Sequence, residues 1–178
     1  SDLFTLNDNL KKTERRYDGL GRTTETIDYT DGDYVSVKME YDALNHVSKV
    51  SNPYRPSRSE TALWTETTYD SLGRVTEVET PDTAKVITAY DGNRVLVTDQ
   101  AGKQRISKMN SLGHLKDVWE VTASDANTES VSFPSQSLSA GYKTSYTSDV
   151  LGNLLTVTQG VQTRTFVYDS LSRITSAA

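Results

Sequence analysis

Apolar residues return in this chain as pairs three positions apart: Val47 and Val50, Val75 and Val78, Leu115 and Val118, Leu154 and Val157, Ile174 and Ala177. Thr23 and Thr26 hold the same places in the first copy. Strict strand alternation has a period of two, so a spacing of three implies one bulge or a contact on both faces. Helical periodicity would also accept it. The segments are short and rich in Thr, Gly and β-branched residues, which favours strands. Turn signals fall between the pairs at Asp31-Gly32, Pro81-Asp82, Ala101-Gly102 and Gln159-Gly160. The pattern predicts a meander of roughly 13 to 16 antiparallel strands, two per repeat.

Each apolar pair follows, by six and nine residues, a marker that opens a polar phrase. The clearest copies are Tyr17-Asp18-Gly19-Leu20-Gly21-Arg22 and Tyr69-Asp70-Ser71-Leu72-Gly73-Arg74. Tyr41-Asp42-Ala43-Leu44-Asn45-His46 and Tyr168-Asp169-Ser170-Leu171-Ser172-Arg173 replace the Gly. Met109-Asn110-Ser111-Leu112-Gly113-His114 and Ser148-Asp149-Val150-Leu151-Gly152-Asn153 lose the Tyr, and Tyr90-Asp91-Gly92-Asn93-Arg94 is shortened. The markers at 17, 41, 69, 90, 109, 148 and 168 are spaced 24, 28, 21, 19, 39 and 20 apart. An interval near 20 suits two strands and two turns, and falls short of the roughly 30 residues of a βαβ unit.

The phrase reads as a turn. The Asp carboxylate can accept from the backbone N–H two residues on, opening a type I turn. The Gly suits the left-handed position that closes a three-residue hairpin loop with a bulge. Asn45 fits it reasonably and Ser172 poorly, and as departures from the phrase these copies, with Ser148 and the shortened phrase at Tyr90, are expected to be locally irregular. The Tyr ends the incoming strand, and the Leu is expected to pack back against it. The turn residues of the array are thus Tyr17, Asp18, Gly21, Tyr41, Asp42, Tyr69, Asp70, Gly73, Tyr90, Asp91, Gly113, Asp149, Gly152, Tyr168 and Asp169. The long intervals carry insertions at about 52–62 and 123–141, expected to be mobile surface loops in a single repeat region spanning 1–178.

Composition narrows the functional classes. The 178 residues include no cysteine, which excludes thiolate metal sites, thiol nucleophiles and disulfides. A net charge of −5 spread without a basic cluster argues against a nucleic-acid surface. No apolar run approaches the roughly 20 residues of a membrane span. The first residues form no signal peptide, and both ends fall in mid-pattern, so the chain is expected to be an excerpt of a longer array.

Candidate chemistry is sparse. Asp18, Asp42, Asp70, Asp91, Asp149 and Asp169 invite a calcium reading, but one carboxylate per turn does not converge on one ion. His46 and His114 stand where Arg stands in stronger copies, as loop residues rather than bases. No nucleophile elbow, phosphate loop or zinc-protease motif occurs. Trp64, Trp119 and the tyrosines could stack on sugars, although strand aromatics more often pack across strands. No cofactor, metal or enzymatic activity is expected.

Tyr-Asp-x-Leu-Gly-Arg, repeated at this interval and followed by Val-x-x-Val, resembles the Rhs or YD repeat. Val97-Thr98-Asp99-Gln100-Ala101-Gly102-Lys103 and Thr165-Phe166-Val167-Tyr168-Asp169-Ser170-Leu171 look like bacterial members of that family. The resemblance runs from about Leu10 to Thr175. It implies an all-β fold: antiparallel hairpin repeats forming a curved strip, a segment of a β-spiral shell. It implies a non-enzymatic shell of a secreted or cell-surface protein, such as a polymorphic toxin, a Tc toxin shell component, a wall-associated protein or a teneurin. The shell would enclose or display a C-terminal toxin domain. The expected partners are the rest of the same polypeptide, including further repeats, a core and a cargo domain. A carbohydrate- or cell-surface-binding role is the alternative, and the sheet edges are expected to be blunted either by the two insertions or by self-association of the fragment. The self-cleaving core of that family has no counterpart motif here, so none of its catalytic residues carries over.

Overall fold

A computed structural model describes residues 12–30, 32–121, 129–133 and 136–178, with side chains described outside 129–132 and 136–141. The chain divides into two compact units, with the boundary between Lys85 and Val86. The first contains β1 (Thr13–Tyr17), β2 (Thr23–Thr30), β3 (Asp33–Tyr41), β4 (Val47–Ser51), a 3₁₀ turn (Pro56–Arg58), β5 (Trp64–Tyr69) and β6 (Val75–Glu79). The second contains β7 (Lys85–Asp91, which starts at the boundary), β8 (Arg94–Thr98), β9 (Gln104–Met109), β10 (Leu115–Val121) and β11 (Glu129–Phe133). It continues with β12 (Gln136–Ser148), β13 (Leu154–Gln159), β14 (Gln162–Tyr168) and β15 (Ile174–Ala177). Within each unit the strands pair antiparallel in chain order, except that β12 lies between β10 and β13 while β11 pairs β12 alone. The fold is all-β, built of hairpins, and among the described residues it has no α-helix.

The spacing of three has its cause in the register. In β3 and β4, Tyr41 faces Val47 and Glu40 faces Lys49, which leaves Ser48 unopposed. Met39 then faces Val50. The same slip occurs beside every phrase except the shortened one, with Tyr69 opposite Val75 and Thr67 opposite Val78, and Tyr168 opposite Ile174 and Phe166 opposite Ala177. The extra residue returns the apolar pair to one face, the face of the marker and the residue two before it. A bulge therefore turns helix-like spacing into strand packing.

A single sheet buries little by itself, and each unit packs residues of its insertion against its strands. In the first unit, Tyr54 bridges Ser36 through both backbone hydrogen bonds, Ser36 N–H to Tyr54 O at 2.8 Å and Tyr54 N–H to Ser36 O at 3.1 Å. Asp33 holds the 3₁₀ turn in place, accepting from the Ser57 hydroxyl and from Arg58 Nε at 2.7 Å. Ile27, Tyr54 and Ser36 are buried there, and the Ser36 hydroxyl donates to the buried Glu25 carboxylate, which also binds Arg16 at 2.7 Å. In the second unit Phe133, at the end of β11, closes a cluster with Leu96, Ile106 and Trp119, under the guanidinium of Arg94 at 5.5 Å.

Parts of both segments expected as loops make regular contacts. The segment 52–62 is pinned, with Asn52 N–H donating to Leu63 O at 2.7 Å and Glu60 accepting from Arg55 N–H at 2.6 Å. Of the segment 123–141, residues 129–133 and 136–141 are strand, while 123–128 and 134–135 lie outside the described residues. The sequence showed Ser, Pro and Gly there, and it hid that one aromatic in each insertion seeks the bare sheet face.

Candidate functional site: the phrase turns

Within each unit every phrase links a strand to its successor at the same end of the sheet, so the phrases line one edge. In the first unit these are the turns 18–22, 42–46 and 70–74. In the second they are 91–94, 110–114, 149–153 and 169–173. The backbone geometry repeats closely: Gly21 N–H donates to Asp18 O at 3.0 Å, and Asp18 N–H donates to Arg22 O at 2.9 Å. The Gly position is left-handed in each full phrase, with φ of 77° at Gly21, 75° at Gly73, 79° at Gly113 and 89° at Gly152. Asn45 and Ser172 adopt it too, at 74° and 59°. The irregularity expected at these two copies is therefore absent. Their short polar side chains tolerate the left-handed region once the hairpin and neighbouring strands impose it.

One carboxylate organises each turn. Asp18 Oδ1 accepts from Leu20 N–H at 2.8 Å and Arg22 N–H at 3.0 Å, while Oδ2 accepts from Arg22 Nε at 2.6 Å. Asp70 and Asp169 do the same with Arg74 and Arg173, and Asp149 with Asn153. Asp42 pairs with His46 Nδ1 at 2.9 Å. Asn110 keeps the two backbone contacts, to Leu112 and His114, without the charge. Backbone hydrogen bonds from Arg22, Arg74 and Arg173, reinforced by their side chains, hold Asp18, Asp70 and Asp169 below the ordinary carboxylate value. At Asp149 the Asn153 side chain leads the same downward shift. At Asp42 burial pushes upward, and the hydrogen bonds from His46 and Leu44 outweigh it, so its value is lowered as well. Both oxygens of these carboxylates are thus engaged within their own turn, which suits turn-setting and leaves little capacity for a base or an ion.

The shortened phrase is a different loop. Asp91 faces Arg94 across a two-residue turn at Gly92-Asn93 with no bulge, and the two side chains form an ion pair. Asn93 Nδ2 donates to Met109 O at 2.6 Å, tying this turn to the next phrase.

Four pairs of successive full phrases touch at one position: the residue after the left-handed position reaches the left-handed residue of the next phrase. Arg22 Nη1 donates to Asn45 Oδ1 at 2.9 Å. His46 lies against Gly73, where an added Cβ would come 3.0 Å from Nε2. His114 lies against Gly152, where the same atom would come 3.3 Å from Nε2. Asn153 Nδ2 donates to Ser172 Oγ at 3.1 Å. The marker tyrosines complete the link. Tyr41 lies 4.4 Å beneath the Arg22 guanidinium and its hydroxyl donates to Thr23 O at 2.8 Å. Tyr69 stacks on His46 with ring centres 4.6 Å apart and donates to Val47 O at 2.7 Å. The carbonyl each tyrosine reaches belongs to the residue directly after the preceding phrase.

Several expected roles are relocated. The phrase leucines do not pack back on the tyrosines: Leu20, Leu44, Leu72, Leu112, Leu151 and Leu171 are 60% to 78% exposed. Their N–H groups are held by the Asp, or by Asn110 at Leu112, and that turn position aims the side chain outward. Tyr54 and Trp119 are buried, and Tyr41 and Tyr69 each have one ring face against Arg22 or His46. Among the described residues no group of three or more His, Asp or Glu could hold a metal ion, and no helix is long and apolar enough to cross a membrane. Asp99 builds the phrase turn at the opposite end of the sheet, accepting from Ala101 N–H at 2.9 Å and Lys103 N–H at 2.8 Å. Its signal was present, an Asp three residues before Gly102, without the aromatic that marks the other copies.

No family model matches the chain. Among solved structures it is similar to TcdB2-TccC3 without the hypervariable C-terminal region, at 14% identity and a TM-score of 0.47, over 96% of this chain and 10% of that one. It is also similar to the Photorhabdus luminescens Tc holotoxin pore carrying a TccC3 mutation, at 14% identity and a TM-score of 0.43, over 88% of this chain and 10% of that one. The chain thus spans about a tenth of the length of these structures. Scores this low carry no argument about activity, and the fold stands on the strand register itself.

Proposed function

We propose that this chain is a non-enzymatic, load-sharing stretch of a YD-type repeat array, whose hairpins form part of a wall enclosing or displaying a C-terminal toxin domain of an exported protein. The observation that supports this reading most is the turn-to-turn ladder. Four phrase pairs meet at the same positions. Arg22 meets Asn45 and Asn153 meets Ser172 by hydrogen bonds, while His46 meets Gly73 and His114 meets Gly152 by close approach of the ring to the glycine. Side chains that elsewhere could act as base, ligand or platform are spent on joining one hairpin to the next. Such a design suits a wall, which needs uniform neighbours more than a concave site. The resemblance of the phrase to the YD repeat supplies the enclosed domain and the exported setting.

Limited proteolysis of the full-length parent tests this. Its C-terminal region should resist protease in the intact protein and become cleavable when the hairpins spanning 64–121 are deleted. Equal cleavage in both forms would overturn the reading.

A further inference from the structure

The phrase keeps a leucine that the structure leaves in water. Six of the seven phrases carry it, at Leu20, Leu44, Leu72, Leu112, Leu151 and Leu171, while the marker and the left-handed position both vary. Leucine has no advantage at a turn, where Gly, Asn, Asp and Ser lead. Its neighbours in the loop vary freely among Gly, Ala, Ser and Val. The turn uses only its N–H, held by the Asp or Asn side chain at 2.8 to 2.9 Å, a contact any residue but proline could make. A side chain repeated six times within one chain and buried nowhere in it is accounted for by something outside it.

The placement of these leucines describes what that is. In each unit three of them sit at the same turn position of adjacent hairpins: Leu20, Leu44 and Leu72 in the first, and Leu112, Leu151 and Leu171 in the second. Adjacent hairpins are two strands apart, so the leucines recur about every 10 Å along a row. A complementary surface must present apolar groups at that period, and the turn edge of a second copy does so. Leucines from two such rows can interdigitate. The edge of the first unit also suits self-pairing electrostatically. Asp18 is paired with Arg22, Asp70 with Arg74 and Asp42 with His46, each at 2.9 Å or less, so two such edges meet without a row of like charge.

We propose that the phrase edge is a self-association surface, on which the leucine row of one copy packs into the leucine row of another. This stands on the turn geometry and holds whether or not the chain belongs to a toxin wall.

The chain lacks cysteine, which makes the test clean. Light scattering over a concentration series should show the chain associating. The variant carrying Leu20→Ser, Leu44→Ser, Leu72→Ser, Leu112→Ser, Leu151→Ser and Leu171→Ser should keep its circular dichroism and lose association by about 100-fold or more, as burial of several leucines requires. In parallel, Leu151→Cys should form disulfide-linked dimers under mild oxidation faster than Val161→Cys, a fully exposed position in the turn between β13 and β14 at the opposite end of the sheet. Wild-type chain that stays monomeric at the highest concentration would overturn the proposal. So would association that survives the six substitutions, or equal cross-linking at the two cysteines.

Discussion

His46 and Gly73 are matched across neighbouring turns: an added Cβ at Gly73 would come 3.0 Å from His46 Nε2, and Gly73 itself sits at φ 75°. The preceding junction solves the same problem differently, with Arg22 donating to the Oδ1 of Asn45. The left-handed position therefore answers to two demands, its own backbone and the side chain arriving from the previous phrase.

Exchange of the two solutions should be readable in stability. Gly73→Ala is expected to destabilise by about 1–2 kcal/mol from the left-handed conformation alone, with the His46 contact adding to it. Gly73→Asn should destabilise while His46 is present. Combined with His46→Arg it should recover, because the pair then reproduces Arg22 and Asn45. Urea denaturation of the four proteins gives the coupling energy, and simple additivity would count against the match.

Acid should loosen the turns. Asp18, Asp70, Asp149 and Asp169 have folded values below their ordinary 3.8, so the stability they contribute is present above pH 3.8 and is lost as pH falls through the lower folded values. The urea midpoint should be flat from neutral pH down to that point and then decline. Asp70→Asn should keep the turn, as Asn110 does at the same place, and shallow the decline.

Tyr41→Phe and Tyr69→Phe each remove one hydroxyl that reaches a carbonyl of the previous repeat. Each should cost about 0.5–1.5 kcal/mol by urea denaturation, with the ring contacts retained. No change in either variant would show that the hydroxyl contact contributes nothing to joining the repeats.

Phe133→Ala should be the more severe change, at about 3–5 kcal/mol, because the ring closes the cluster of Leu96, Ile106 and Trp119. Asp33→Ala should act locally instead. By freeing Ser57 and Arg58 it should speed hydrogen exchange at the Tyr54 and Ser36 amides, leaving exchange at Ile106 unchanged.

The phrase was legible because its parts are local. An Asp, a Leu and a Gly within five residues define a turn whatever surrounds them, and the apolar pairs at six and nine residues announced the bulge that realigns them. What the sequence concealed was contact between phrases. Nothing in Asn45 or Ser172 read alone says that each answers Arg22 or Asn153 some twenty residues earlier, so both looked like flaws. The insertions misled for a related reason. Tyr54 and Phe133 are single aromatics in loop-like surroundings, and only an uncovered sheet face tells where they go. Leu20 and its counterparts were assigned to the Tyr because apolar residues are expected inside, and the turn geometry decides otherwise.

Nuclear Overhauser contacts from the His46 ring to Gly73 Hα, and from the His114 ring to Gly152 Hα, test the ladder most directly, since the Cβ-facing side of each glycine lies within 4 Å of three ring atoms. Both contacts should appear in the folded chain. Their absence, in a sample whose cross-strand contacts between β3 and β4 and between β9 and β10 are intact, would mean that the hairpins form without the ladder that is proposed to join them.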